Sequence, residues 1–229
     1  MLTYLSKKPS NINQAEFEKV VRSICADPKI RIANPNWLMI CMNAESNMKL
    51  VTNGIGAYGF IQITNKTARE DLGTTNDALR AGTWQNYMEY VRLYLQHRVK
   101  EKGVPQNAYE LYALIHFPIA FQKSGSYVLY SLGSDAYKGN SALDYNKDGK
   151  VQWSEVMKFL DSKCPPLYDK TQLLKAENLT SNYYYVNYSM IEVGIIAGTV
   201  AVVGIILLVK SPRKLIQKLN YRFSHGNAN

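Results

Sequence analysis

From Val193 to Val209 the chain reads Val-Gly-Ile-Ile-Ala-Gly-Thr-Val-Ala-Val-Val-Gly-Ile-Ile-Leu-Leu-Val without a single charge. As a helix this run spans roughly 25 Å, the short end of a membrane crossing, and Met190–Ile191 can extend it. A buried core helix is the competing reading, and the flanks decide against it. Tyr183, Tyr184, Tyr185 and Tyr188 form an aromatic belt on one side, while Lys210, Arg213, Lys214, Lys218 and Arg222 cluster on the other. A single-pass membrane helix is therefore expected over 190–210. The basic flank belongs on the cytoplasmic side, which places residues 1–189 across the bilayer. Leu215, Ile216, Leu219 and Phe223 share one face of the basic amphipathic tail, 211–229, which suits a helix lying on the bilayer surface. Gly194 with Gly198, and Ala197 with Ala201, give a small-residue pattern through which two such helices could form a homo-oligomer.

A soluble fold must then be built from what precedes the run. Met1 to Lys8 carries no apolar core, so no secretory signal peptide is expected there. The net charge of +9 suits anionic lipid, nucleic acid or an acidic polymer such as peptidoglycan. No groove-reading motif supports sequence-specific nucleic acid binding. Cys25, Cys41 and Cys164 lack metal-ligand spacing, and their odd number argues against a disulfide framework. Cys25 and Cys41 fall on apolar helix faces and read as buried free thiols, with a Cys25–Cys41 bridge as the alternative. His97, His116 and His225 pair with no Cys or Ser in a nucleophile–base pattern.

Helical periodicity dominates the rest. Asn13 caps a helix over 14–26 whose stripe is Phe17, Val20, Val21 and Ile24, and Asp27-Pro28 ends it. Asn34-Pro35 opens a second helix carrying Trp37, Leu38, Cys41 and Met42. Residues 47–66 read as loop and short extended structure, and 64–71 as helix. Tyr87, Tyr90, Val91, Tyr94 and Leu95 mark a long helix over 83–100; another runs from Asn107 to Phe117, stopped by Pro118. A short helix is expected around Ser126–Leu132. The expected fold is mainly α, with few and short strands. Residues 165–189, opening near Pro165-Pro166, read as a tether without a core-forming pattern.

Glu45 stands three, four and seven residues after Met42, Cys41 and Leu38, so it shares their apolar face. A carboxyl on such a face loses hydration, which favours the protonated form that a general acid requires. Glu45-Ser46 is followed by Gly56-Ala57-Tyr58-Gly59-Phe60-Ile61-Gln62 and, later, Thr67-Ala68. This constellation resembles the lysozyme-like lytic transglycosylases, whose pattern is Glu-Ser, Gly-x-x-Gly-Leu-Met-Gln and a downstream Thr-Ala, and it is similar to goose-type lysozymes. The resemblance covers roughly residues 14–130 and implies a lysozyme-like catalytic domain over 1–135. It implies Glu45 as the acid/base, needing no cofactor, with peptidoglycan glycan strands as substrate. Glu45 would protonate the leaving oxygen and then take the C6 hydroxyl proton of N-acetylmuramic acid, closing a 1,6-anhydro ring. Hydrolysis usually needs a second carboxylate, and Glu70, Asp71 and Asp77 carry no pattern marking them as one. Ser46, Gly56, Tyr58, Gly59 and Gln62 would position substrate, with the glycines admitting the glycan to the backbone. The family's Ala-Tyr-Asn motif, whose Tyr bonds the catalytic Glu, is replaced here by Leu111-Tyr112-Ala113, leaving Tyr112 or His116 to take that place.

Asp144-Tyr-Asn146-Lys-Asp148-Gly149-Lys150-Val-Gln152-Trp-Ser-Glu155 fits a twelve-residue EF-hand loop at each demanding position. Asp144, Asn146, Asp148, Gln152 and Glu155 offer side-chain oxygens, and Lys150 its carbonyl, to a structural calcium ion. Residues 136–164 form this region, with Ser154–Asp161 as the exiting helix; Gly139-Asn140 breaks any entering helix, as in a dockerin-type half-hand. Function is expected to be that of a membrane-anchored peptidoglycan lytic transglycosylase in a bacterial envelope or a bacteriophage virion membrane. A muramidase-type hydrolase and a non-catalytic structural protein on the same fold are the alternatives.

Overall fold

The structure, a computed structural model, describes residues 1–176; the expected membrane helix, its aromatic belt and the basic tail lie outside the described residues. Among the described residues no helix is long and apolar enough to cross a membrane. Eight helices and one small sheet make this part mainly helical. They are α1 (Gln14–Cys25), α2 (Pro35–Ser46), α3 (Asn65–Glu70), α4 (Asn76–Ala81), α5 (Trp84–Lys102), α6 (Ala108–His116), α7 (Asp135–Asn140) and α8 (Trp153–Ser162). The strands are β1 (Val128–Ser131) and β2 (Lys150–Gln152), paired antiparallel.

Side-chain caps explain where most helices begin. Asn13 accepts the Glu16 N–H at 3.0 Å to open α1, and Asn34 accepts that of Asn36 at 3.0 Å beside Pro35 to open α2. Thr64, Thr75, Thr83 and Asn107 cap α3 to α6 in the same way. A cap of this kind contributes about 1 kcal/mol, which matters most for one-turn helices such as α3 and α4.

α2 departs from the amphipathic pattern. Every residue from Trp37 to Asn43 is buried, so the helix is apolar nearly all round and runs through the core with α1, α6 and α8 packed on it. At its C-terminus Asn47 and Met48 turn into the left-handed region (φ 53° and 61°), and Met48 tucks back into the core. The chain therefore leaves α2 abruptly at Glu45-Ser46. α1 is fastened to α5 through buried Asp27, which accepts from Gln96 at 2.8 Å and lies 3.5 Å from the Arg92 guanidinium; Arg92 also donates to the Ser23 carbonyl and hydroxyl.

Three segments differ from the sequence reading. Residues 126–132 form no helix: Val128 to Ser131 pair with Lys150 to Gln152, because the loop carrying the EF-hand pattern offers an open strand edge that a lone helical turn cannot use. The entering side of that loop does hold helix, α7, capped by Ser134 and followed by a 3-10 turn over Ser141–Leu143; Gly139 sits in its last turn, where glycine costs little. Residues 163–175 do not hang free. Leu173 is fully buried, the Trp37 indole donates to the Gln172 carbonyl at 2.8 Å, and Asn43 donates to that of Lys163 at 3.1 Å. One apolar anchor held by hydrogen bonds to backbone carbonyls leaves no periodicity to read. Cys25 and Cys41 are both buried, as their helix faces predict, and form no disulfide.

Candidate active site

Glu45 ends the core helix with its side chain only 5 % exposed, although the helix is about to leave the core. Its carboxylate meets α6. The Nδ1 of His116 lies 3.1 Å from both Oε1 and Oε2 of Glu45. One turn earlier on the same face, the Tyr112 ring stacks on the His116 ring (centroids 5.8 Å, planes 7° apart). Burial first, then the charge of Glu45 and a hydrogen bond to it, hold the Tyr112 phenol protonated far above its ordinary range. Glu45, Tyr112 and His116 thus form one cluster, built from the end of α2 and one face of α6.

α6 is itself braced. The Tyr94 hydroxyl of α5 reaches the last carbonyls of α6, those of Ile115 at 2.8 Å and Leu114 at 3.1 Å. These orphan acceptors at a helix end would otherwise need water in a buried place. On the far side, Phe159 of α8 stacks against Tyr112 at 6.4 Å, and Phe117 packs edge-on to His116 at 4.2 Å and to Trp153 at 6.1 Å. Helix α8 therefore forms part of the wall behind the cluster.

The glycine-framed stretch is joined to the α2 terminus through Ser46, the residue after Glu45. Tyr58 pairs with Ile63 through hydrogen bonds of 2.9 and 2.8 Å and bridges to Thr52, giving a minimal three-segment ribbon. Ser46 joins this ribbon to α2: its hydroxyl lies 3.1 Å from the carbonyls of both Met42 and Phe60 and accepts the Lys49 N–H at 3.2 Å. Gly59 (φ +86°) lies over the ring of Tyr87, and a Cβ there would stand 2.2 Å from ring carbons. The Tyr87 hydroxyl accepts the Ile61 N–H at 3.1 Å and donates to the Tyr58 carbonyl at 3.3 Å. Asn76 donates to the carbonyls of Gly56 at 2.6 Å and Ile63 at 3.1 Å.

The expected substrate-positioning residues therefore divide. Ser46, Gly56 and Gly59 serve the packing of the ribbon, with Gly59 making room for a tyrosine of α5. Tyr58 is buried, edge-on to Tyr87 at 5.7 Å, so its ring is part of the packing. Gln62, in the left-handed region at φ 52°, donates to the carbonyls of Gly59 at 2.7 Å and Val51 at 3.1 Å, while its Oε1 is buried with no partner. Tyr87, Asn76 and Tyr94 carry the support of the site and were not legible as such; only the helical spacing of the α5 tyrosines hints at an inward face.

The three candidate second acids are engaged elsewhere. Asp71 pairs with Arg98 at 2.9 Å, Glu70 with Lys66 at 3.9 Å, and Asp77 with Arg80.

In the loop 144–155, side-chain oxygens gather backbone N–H groups. Asp144 accepts from Asp148 and Gly149 at 3.2 and 3.0 Å, and Asn146 from Asp148 at 3.0 Å. Asp148 accepts from Lys150 at 2.9 Å. Buried Glu155 reaches back to the N–H groups of Tyr145 and Gln152, both at 2.9 Å, and the Tyr137 hydroxyl donates to Asp144 at 2.6 Å. That phenol hydrogen bond, with the backbone donors, holds the Asp144 carboxyl below the usual carboxylate range. Among the described residues no three His, Cys, Asp or Glu side chains form a metal cage by themselves. The loop's donor set is different in kind, hard oxygens that include an amide and a backbone carbonyl, and it is chemically suited to calcium.

No protein-family model matches the chain, and no curated protein or solved structure matches it either.

Proposed function

We propose that the protein is a membrane-anchored peptidoglycan lytic transglycosylase in which Glu45 is the sole acid/base. The observation that carries this reading is a carboxyl shielded to 5 % exposure near the end of a core helix, held by His116 and Tyr112, with the next residue, Ser46, bonded to the glycine-framed ribbon. The order Glu-Ser, Gly-x-x-Gly-x-x-Gln and Thr-Ala in the sequence supports it.

In this mechanism the Glu45 carboxyl protonates the glycosidic oxygen between N-acetylmuramic acid and N-acetylglucosamine, and the C1–O bond breaks. The resulting Glu45 carboxylate takes the proton of the C6 hydroxyl as O6 bonds to C1. The acid is regenerated and a 1,6-anhydro sugar leaves, with no water consumed. A single carboxyl suffices because the sugar carries its own nucleophile; a hydrolase would need a second acid placed for water. Glu70, Asp71 and Asp77 are paired with basic side chains, which favours the anhydro product over the muramidase alternative.

Asp144, Asn146, Asp148, Lys150, Gln152 and Glu155 would hold calcium, which supplies charge compensation for the loop and no chemistry at the glycosidic bond. The segment 190–210 would anchor the domain in a bilayer of the bacterial envelope or of a virion. The test is digestion of purified peptidoglycan by the full chain in detergent, alongside Glu45→Gln. Fragments released by the parent and absent from the variant support an enzyme; no release by either supports the structural alternative.

A further inference from the structure

His116 is marked by no motif, yet it is the side chain that meets both oxygens of Glu45. We infer that His116 is the positioning residue of the site, donating its Nδ1–H to the Glu45 carboxyl, whose oxygens each lie 3.1 Å from Nδ1, in both halves of the reaction. The inference rests on the reading of Glu45 as the acid, and it concerns how that acid is held.

Two aromatic neighbours set the plane of the ring. Tyr112 stacks on one face, Phe117 abuts it at 4.2 Å, and the carbonyl of the preceding residue, Ile115, is held by Tyr94. Pro118, two residues on, keeps α6 from continuing. The ring is 41 % exposed, against 5 % for the Glu45 side chain. A ring so exposed can accept a hydrogen bond from water at Nε2, and in that tautomer Nδ1 carries the proton and faces the acid.

A constant donor on one oxygen solves the geometric problem of a general acid. With the N–H on whichever oxygen is unprotonated, the proton of Glu45 sits on the other, free to reach the leaving group. If His116 instead accepted that proton, the acid would point at the protein. When the proton has left, the same N–H faces a carboxylate, and a hydrogen bond to a charged oxygen is about twice as strong as one to a neutral oxygen. The interaction therefore strengthens as the reaction proceeds, which is the condition for raising kcat rather than lowering KM. Cys41 on α2, Tyr87 and Tyr94 on α5 and Tyr112 on α6 also feel the Glu45 charge, and burial is the main cause keeping each protonated and neutral.

The test uses the full chain in detergent with two variants. His116→Phe keeps the stacked ring and removes the donor; His116→Gln restores an N–H donor without the ring. Release of anhydro-muropeptides should fall roughly 10- to 100-fold in kcat for His116→Phe, with KM nearly unchanged, and recover in part for His116→Gln. An unchanged kcat in His116→Phe overturns the inference, as does a loss that His116→Gln fails to recover. Nitrogen-15 NMR of the parent supplies an independent arm. A protonated Nδ1 on His116 supports the donor role and an unprotonated Nδ1 refutes it, even if the parent releases no fragments and the reading of Glu45 as the acid fails.

Discussion

Alanine at Gly59 tests how the ribbon beside Glu45 is held. Two costs act there. The backbone sits at φ +86°, where an L side chain is strained, and the new Cβ would stand 2.2 Å from two carbons of the Tyr87 ring and 2.4 Å from its oxygen. Left-handed strain costs about 1–2 kcal/mol, and forcing a methyl into a packed core costs about 1–3 kcal/mol. Tyr87 cannot step aside cheaply, because its hydroxyl serves the Ile61 N–H and the Tyr58 carbonyl. The sum is about 2–5 kcal/mol, which for a domain of this size lowers Tm by roughly 5–20 °C. Two other glycines separate the terms. Gly73 is at φ +61° with open space, so Gly73→Ala carries strain alone; Gly54 has open space and no positive φ, so Gly54→Ala is close to neutral. Differential scanning calorimetry of the three variants should rank them Gly59, Gly73, Gly54 from most to least destabilised. If Gly59→Ala melts with Gly73→Ala, the close approach of Tyr87 contributes nothing and the reasoning is refuted.

Tyr87→Phe leaves the buried Ile61 N–H without its acceptor and should cost about 1–3 kcal/mol in denaturant unfolding; a cost near zero would mean the ribbon does not depend on that hydroxyl. Leu173→Ala should cost about 2–5 kcal/mol by the same measurement, because residue 173 is core; a free tether would give no change. Burial, and then the charge of Asp161, push the Cys164 thiol from 9.0 to about 11. Its alkylation at pH 8 should therefore run about 100-fold slower than that of an ordinary thiol, in proportion to thiolate. Because that folded value is raised, the stability linked to the neutral thiol is full below pH 9.0 and is lost as pH rises through about 11. Removing calcium with a chelator should lower Tm, and Glu155→Gln should abolish that response; a parent whose melting ignores both calcium and chelator would exclude a structural ion.

Much of the helical frame was legible because caps and periodicity are local. Asn13, Asn34 and Asn107 announce helix starts within the sequence, and the apolar spacing around Leu38 and Cys41 turns Glu45 inward. What escaped is long-range. Val128 to Ser131 become a strand only because the 150–152 segment lies beside them, a pairing no window of sequence contains. The role of Gly59 is set by Tyr87, a distant partner, so a glycine that suggests room for a ligand instead makes room for a ring. His116 shares a helix face with Tyr112, but that face meets Glu45 only once α6 packs on α2. The strap over 163–175 is read from one buried leucine and backbone carbonyls, which carry no signature.

In the proposed reaction the sugar's own hydroxyl, deprotonated by Glu45, takes the place of water. Digestion of peptidoglycan by the full chain in water enriched in oxygen-18, followed by mass spectrometry of the muropeptides, tests this directly. The prediction is 1,6-anhydro products without oxygen-18 at the cleaved end, and none from Glu45→Gln. Reducing ends carrying the heavy oxygen would contradict it and identify a hydrolase.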